Sequence, residues 1–202
     1  MLLHEVLDGL PATGPMYIPV SEDGKPFYHE GFVVRLLPER HEPWVANFRS
    51  GLGSYYGTFE FADQRRVLVI AGGKAYLMDP ERTAPLFVFG GQIEGVHHGE
   101  SGVLVFDDQI RILLLYPRSG LLWASSRISW DGFRNMRISG HSVVGESWRP
   151  FPTENDSDEW SSFELDLLNK TLVGGSYPAA QRASPGLAEF PAQVHCDDLW
   201  RL

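Results

Sequence analysis

The chain has 202 residues, 43% of them hydrophobic and 21% charged, which suits one soluble domain with a sizeable core. Its 17 Lys and Arg against 26 Asp and Glu leave a formal net charge of −9. That balance argues against a general nucleic-acid binder, which needs a basic face, and against docking on an anionic membrane. A single cysteine, Cys196, excludes an internal disulfide framework.

The N-terminus, Met1-Leu2-Leu3-His4-Glu5-Val6-Leu7-Asp8, has no basic residue in front and is interrupted by acids. It does not read as a secretory signal. The densest apolar run, Ile112 to Tyr116, is far short of the roughly 20 residues of a membrane span. The expectation is a cytoplasmic protein. Leu2 to Leu10 is predicted as one short helix, ended by Gly9 and Pro11. Asp23-Gly24 is a hairpin signal that would join Met16–Val20 to Phe27–Val34.

Beyond residue 60, short β-branched or alternating runs are punctuated by Gly and Pro, a mostly-β pattern. Arg66–Ile70 turns at Ala71-Gly72-Gly73-Lys74 into Ala75–Met78, and Leu86–Phe89 follows a turn at Asp79-Pro80-Glu81-Arg82. Val103–Phe106, Ile110–Tyr116 and Leu121–Ser125 repeat that order. Asn135–Ile138, Ser142–Trp148, Trp160–Leu167 and Thr171–Val173 form a third set. Val67 lies 36 residues before Val103, and Val103 lies 40 before Val143. A period near 40 built from short strands is the signature of a propeller blade. The expected fold is therefore all-β, antiparallel meanders in a propeller-like repeat with one short N-terminal helix, and a β-sandwich as the alternative. The expected organisation is a single β-rich domain over 1–176 with blade-like units at 67–89, 93–126 and 133–175. Residues 17–61 are the candidate for a degenerate fourth unit, and 177–202 form a Pro/Ala/Ser-containing tail.

Few residues announce chemistry. His97-His98 on a strand would point to opposite faces and could not chelate one ion from one face. His195-Cys196-Asp197-Asp198 is a denser donor set without the paired spacing of a zinc site. Gly140-His141-Ser142-Val143-Val144 lacks the last glycine of a nucleophile elbow and sits in a hairpin pattern. Gly51 to Gly57 and Gly72-Gly73-Lys74 do not have the spacing of phosphate-binding loops and read as turns. The acidic loop Thr153 to Glu159 lacks the glycine and the distal Glu of a calcium loop, and reads as a solvated insertion. No catalytic residue, metal ligand or cofactor is assigned.

Aromatics are denser. Trp123, Trp130, Trp148 and Trp160 fall in one third of the chain, and Trp130-Asp131-Gly132-Phe133-Arg134-Asn135 mixes aromatic, acid, base and amide. Tryptophan and arginine anchor protein interfaces, and tryptophan stacks on sugars. Trp130, Asp131, Arg134, Trp148 and Trp160 are the candidate binding residues. The structural alternative is core packing with an Asp131–Arg134 hydrogen bond that locks a turn.

Val69-Ile70-Ala71-Gly72-Gly73, Val105-Phe106-Asp107-Asp108, Ile128-Ser129-Trp130-Asp131-Gly132-Phe133-Arg134-Asn135, Gly145-Glu146-Ser147-Trp148 and Gly174-Gly175-Ser176-Tyr177 carry a resemblance. Over a little more than half the chain, the pattern is similar to a group of uncharacterised bacterial β-rich proteins with a Ser-Trp-Asp-Gly-Phe-Arg motif. The resemblance implies a bacterial, β-rich, single-domain protein and no particular activity. Three functions are in play. The first is a non-enzymatic protein-interaction module, in its narrower form an inhibitor or immunity-type protein acting on a basic protein partner. The others are a glycan-acting hydrolase, and a small-ligand or carbohydrate-binding module without turnover.

Overall fold

The computed structural model describes residues 2–99, 102–117, 121–151 and 158–182. Strands dominate, and single 3-10 turns lie at Ala62–Gln64 and Ala179–Gln181. The described residues divide into two compact units, one of residues 2–93 and the other of residues 94–182.

The first unit contains two four-stranded sheets. One is built from β1 (His4–Val6), β2 (Ile18–Val20), β3 (Phe32–Leu36) and β4 (Trp44–Phe48), in the order β1-β3-β4-β2. The other is a meander of β5 (Gly57–Phe61), β6 (Arg66–Ala71), β7 (Lys74–Met78) and β8 (Phe87–Gly90). Val34, Leu36, Ala46 and Phe48 of the first sheet share one core with Val67, Val69, Tyr76 and Met78 of the second. β6 is buried at every position, which is why it reads after Arg66 as a continuous apolar run instead of an alternating one.

Two expectations fail here. The N-terminal segment contains a strand, not a helix: β1 pairs antiparallel with β3, His4 opposite Leu36. Three residues of pairing and a Leu3 buried in the core outweigh weak helical periodicity in so short a stretch. Asp23-Gly24 does turn the chain, with Gly24 N–H donating to Ser21 O at 3.3 Å. Yet the strands on either side of it do not pair as a hairpin. β2 runs parallel to β4, and β3 lies between β1 and β4.

The β6–β7 hairpin shows how glycine writes this fold. Its two central residues, Gly72 and Gly73, both have positive φ (51° and 75°), as a tight two-residue turn demands. The loop after β4 is laced onto that turn through backbone alone. Gly51 N–H donates to Ala71 O at 2.9 Å, Gly53 N–H to Gly72 O at 3.0 Å, and Gly73 N–H to Tyr55 O at 2.9 Å. A Cβ on Gly53 would stand 2.6 Å from Ile93 O, so side chains are excluded by contact. The glycine-rich 51–57 stretch is thus packing, in keeping with its reading as a turn.

The second unit repeats the meander twice. β9 (Gly95–His98), β10 (Leu104–Asp107), β11 (Ile112–Tyr116) and β12 (Leu121–Ala124) make one sheet. β13 (Phe133–Ser139), β14 (Ser142–Trp148), β15 (Trp160–Asp166) and β16 (Leu172–Gly174) make the other. Val105, Ile112, Leu114 and Trp123 from the former pack with Val143, Phe163 and Leu165 from the latter. Three of the four sheets are therefore consecutive antiparallel meanders, the strand plan of a blade.

Candidate functional site

The chemistry collects on the outer face of the β13–β16 sheet. Side chains alternate along a strand, so Val143, Phe163 and Leu165 in the core leave Val144, Glu146 and Trp148 of β14, and Trp160, Ser162 and Glu164 of β15, on the opposite face. The register sets them side by side: Trp148 opposite Trp160, Glu146 opposite Ser162, Val144 opposite Glu164, and Val173 of β16 next to Glu164.

β13 contributes two arginines. Residues three apart on a regular strand point to opposite faces, but the β13–β14 register shifts between Arg134 and Arg137. Arg134 stands opposite Glu146 and Arg137 opposite Val144, and Asn135 takes up the extra residue at a positive φ of 55°. This bulge brings both arginines to the face that carries Glu146 and Val144.

Arg134 is held from three sides. Its Nε donates to Glu146 Oε2 at 2.8 Å and its Nη2 to Glu146 Oε1 at 3.3 Å, a two-pronged pair. Its guanidinium carbon lies 4.5 Å from the centre of the Trp160 ring, and Asp158 Oδ2 is 3.9 Å from Nη2. Asn135 Nδ2 adds a 2.7 Å hydrogen bond to Glu146 Oε2. The Arg134 and Asn135 hydrogen bonds hold the Glu146 carboxyl below the usual glutamate range, and Glu146 in turn raises Arg134. Glu164 accepts a 2.7 Å hydrogen bond from Ser142 Oγ. Between these groups lies a groove of about 740 Å³, lined among others by Asn135, Arg137, Val144, Glu146, Ser162 and Glu164. Arg137 is exposed, as is Val173 on the groove's edge.

Of the five candidate binding residues, Arg134, Trp148 and Trp160 share this face. Trp130 and Asp131 belong to the loop that closes the end of β14. Trp130 N–H donates to Trp148 O at 3.1 Å, and Trp148 N–H returns to Gly132 O at 3.2 Å. The Trp130 ring packs 4.8 Å from Tyr177, and Arg127 stacks over both rings. Asp131 is exposed, with its N–H held by Ser129 Oγ at 3.2 Å. The Asp131–Arg134 hydrogen bond of the structural alternative gives way to Arg134–Glu146, because the strand register offers Arg134 a bidentate carboxylate across the ladder. Glu146, Arg137 and Glu164 were not singled out from sequence. Their alternation within β14 and β15 was legible, and their partners across the ladder were not.

Among the described residues, no group of three or more His, Cys, Asp or Glu is placed to hold a metal ion. His97 and His98 are successive residues of β9, paired with Val105 and Leu104, and so point to opposite faces. His195-Cys196-Asp197-Asp198 and residues 153–157 of the acidic loop lie outside the described residues. No helix among the described residues is long and apolar enough to cross a membrane. In comparisons with known proteins, the chain matches no family model, no curated protein and no solved structure.

Proposed function

We propose that this chain is a protein-interaction module whose binding face works without turnover, and that the outer face of the β13–β16 sheet receives the partner. The observation that carries this reading is the fixed guanidinium of Arg134, clamped by Glu146 and laid on Trp160 beside the groove. An arginine and a tryptophan already held in place lose little side-chain freedom on binding, and these two residue types dominate interface hot spots. Around them, Val144 and Val173 offer apolar contact, while Arg137 and Glu164 offer charges of both signs. The net charge of −9 favours encounter with a basic protein, in the manner of an inhibitor or immunity-type protein.

A hydrolase acting on glycans needs one carboxyl kept protonated as a general acid. Glu146 is held ionised and so does not supply that acid. A small-ligand or carbohydrate module without turnover is the second reading, favoured by a groove volume of about 740 Å³ within the range of small-molecule sites.

The test is affinity capture in the native host with the full chain and with Arg134→Ala/Trp160→Ala, followed by titration of the purified partner. A stoichiometric protein whose affinity drops at least about tenfold in the double variant, at unchanged melting temperature, supports the reading. Equal capture by both chains overturns it. A melting-temperature rise with a sugar panel and no protein partner favours the second reading.

A further inference from the structure

The first unit carries a constellation unrelated to the groove. His4 Nδ1 lies 2.9 Å from Glu60 Oε1, and His4 Nε2 lies 2.8 Å from Thr58 Oγ1. Thr58 and Glu60 are two residues apart on β5 and so share a face, and β1 delivers His4 to both. The carboxylate is itself fixed, because Glu60 Oε1 also accepts Leu3 N–H at 2.8 Å. Burial pushes the Glu60 carboxyl up, but the Leu3 N–H and the His4 ring outweigh it and hold it below its usual range. An ionised carboxylate can only accept, so Nδ1 carries the imidazole proton. In the neutral ring, Nε2 then presents its lone pair to the Thr58 hydroxyl. This is the order hydroxyl, imidazole, carboxylate that activates an alcohol as a nucleophile, found here with Thr, His and Glu. The His4 and Glu60 side chains are 12% and 26% exposed, so the relay is shielded from bulk water without being sealed. Val6, which shares the His4 face of β1, and Leu2 are exposed apolar side chains nearby in the chain.

We propose that Thr58 is a nucleophilic hydroxyl that accepts the acyl group of a small ester with an apolar acyl chain. Thr58 Oγ1 forms a bond to the acyl carbon, and the bond from that carbon to the alcohol oxygen breaks. The Thr58 proton passes to His4 Nε2 and from there to the departing alkoxide. The products are an acyl-threonine ester and a free alcohol. Glu60 is a positioning residue that keeps the imidazole in the tautomer with Nε2 free.

The experiment is incubation of the full chain with p-nitrophenyl acetate, followed by intact-mass and peptide analysis. One acetyl group on Thr58 is expected. Thr58→Val should abolish it and Thr58→Ser should retain it. His4→Gln should slow it by about a hundredfold or more, the range of a lost general base. Glu60→Gln keeps an oxygen for Leu3 N–H, so the melting temperature should stay near wild type, but it removes the negative charge that stabilises the imidazolium formed as Thr58 is deprotonated, so acylation should slow. That separates the charge of the relay from folding. Acetyl groups confined to lysines or the terminal amine, or acetylation of Thr58 at equal rates in wild type, His4→Gln and Glu60→Gln, would overturn the proposal. A stable acetyl on His4 in place of Thr58 would overturn it as well.

Discussion

Replacing Asp79 by Ala should be far more damaging than replacing its partner. Arg66, at the start of β6, has a side chain 8% exposed, and its Nη1 lies 3.1 Å from Asp79 Oδ2, on a side chain 13% exposed. Among the described residues, Arg66 Nε has no hydrogen-bond partner, so Asp79 supplies the main compensation for a buried positive charge. A guanidinium keeps its charge throughout the folding range of pH and cannot escape by losing a proton. Asp79→Ala strands that charge, and breaking a buried pair in this way costs about 3–5 kcal/mol. Arg66→Met leaves Asp79 with the Glu81 N–H donor at 3.0 Å and some access to water. It also removes a buried, half-satisfied cation, so its cost should stay near 1 kcal/mol. The double variant should recover most of the Asp79→Ala loss. Urea titration by circular dichroism, with amide exchange on β6 and β7 to localise the effect, measures all three. Equal and additive losses from the two single variants would refute this account of the pair.

Further predictions concern the turn, the bulge and the ion pair. Gly73→Ala places a Cβ 2.7 Å from Ile93 N at a φ of +75°, and should cost about 3 kcal/mol from left-handed strain plus overpacking, read by calorimetry. Asn135→Val, a β-branched residue at φ +55°, should remove the bulge and unseat Arg134 from Glu146, whereas Asn135→Gly keeps the bulge; nuclear Overhauser contacts between β13 and β14 distinguish them. Because the folded state lowers the Glu146 carboxyl, its contribution is present above the ordinary glutamate range and lost as pH falls through the lowered value. Glu146→Gln should therefore flatten that acid portion of the stability profile for the β13–β16 sheet, and an unchanged slope would contradict the assigned cause.

Local signals carried most of the fold. Gly72-Gly73 and Gly140-His141, each flanked by apolar runs, mark hairpins that the structure contains, and the three consecutive meanders follow from such turns. Contacts between distant segments were not legible. β2 lies parallel to β4, a pairing with no turn to announce it. The short stretch at His4 becomes a strand only because β3 is there to pair with it. In the candidate site, the tryptophans and Arg134 stood out by type. Glu146 did not, because its role is set by a register that a bulge at Asn135 shifts. The Thr58–His4–Glu60 relay joins residues more than fifty positions apart, and nothing in either segment alone points to it.

The most direct test of the interaction reading is site-specific photo-crosslinking in the native cell. A photoreactive residue at Ser162, inside the groove, should give one discrete protein adduct, while the same residue at Tyr28, 91% exposed in the first unit, should give none. Adducts of equal yield at both positions, or no adduct at Ser162, would contradict the assignment of the β13–β16 face as the partner surface.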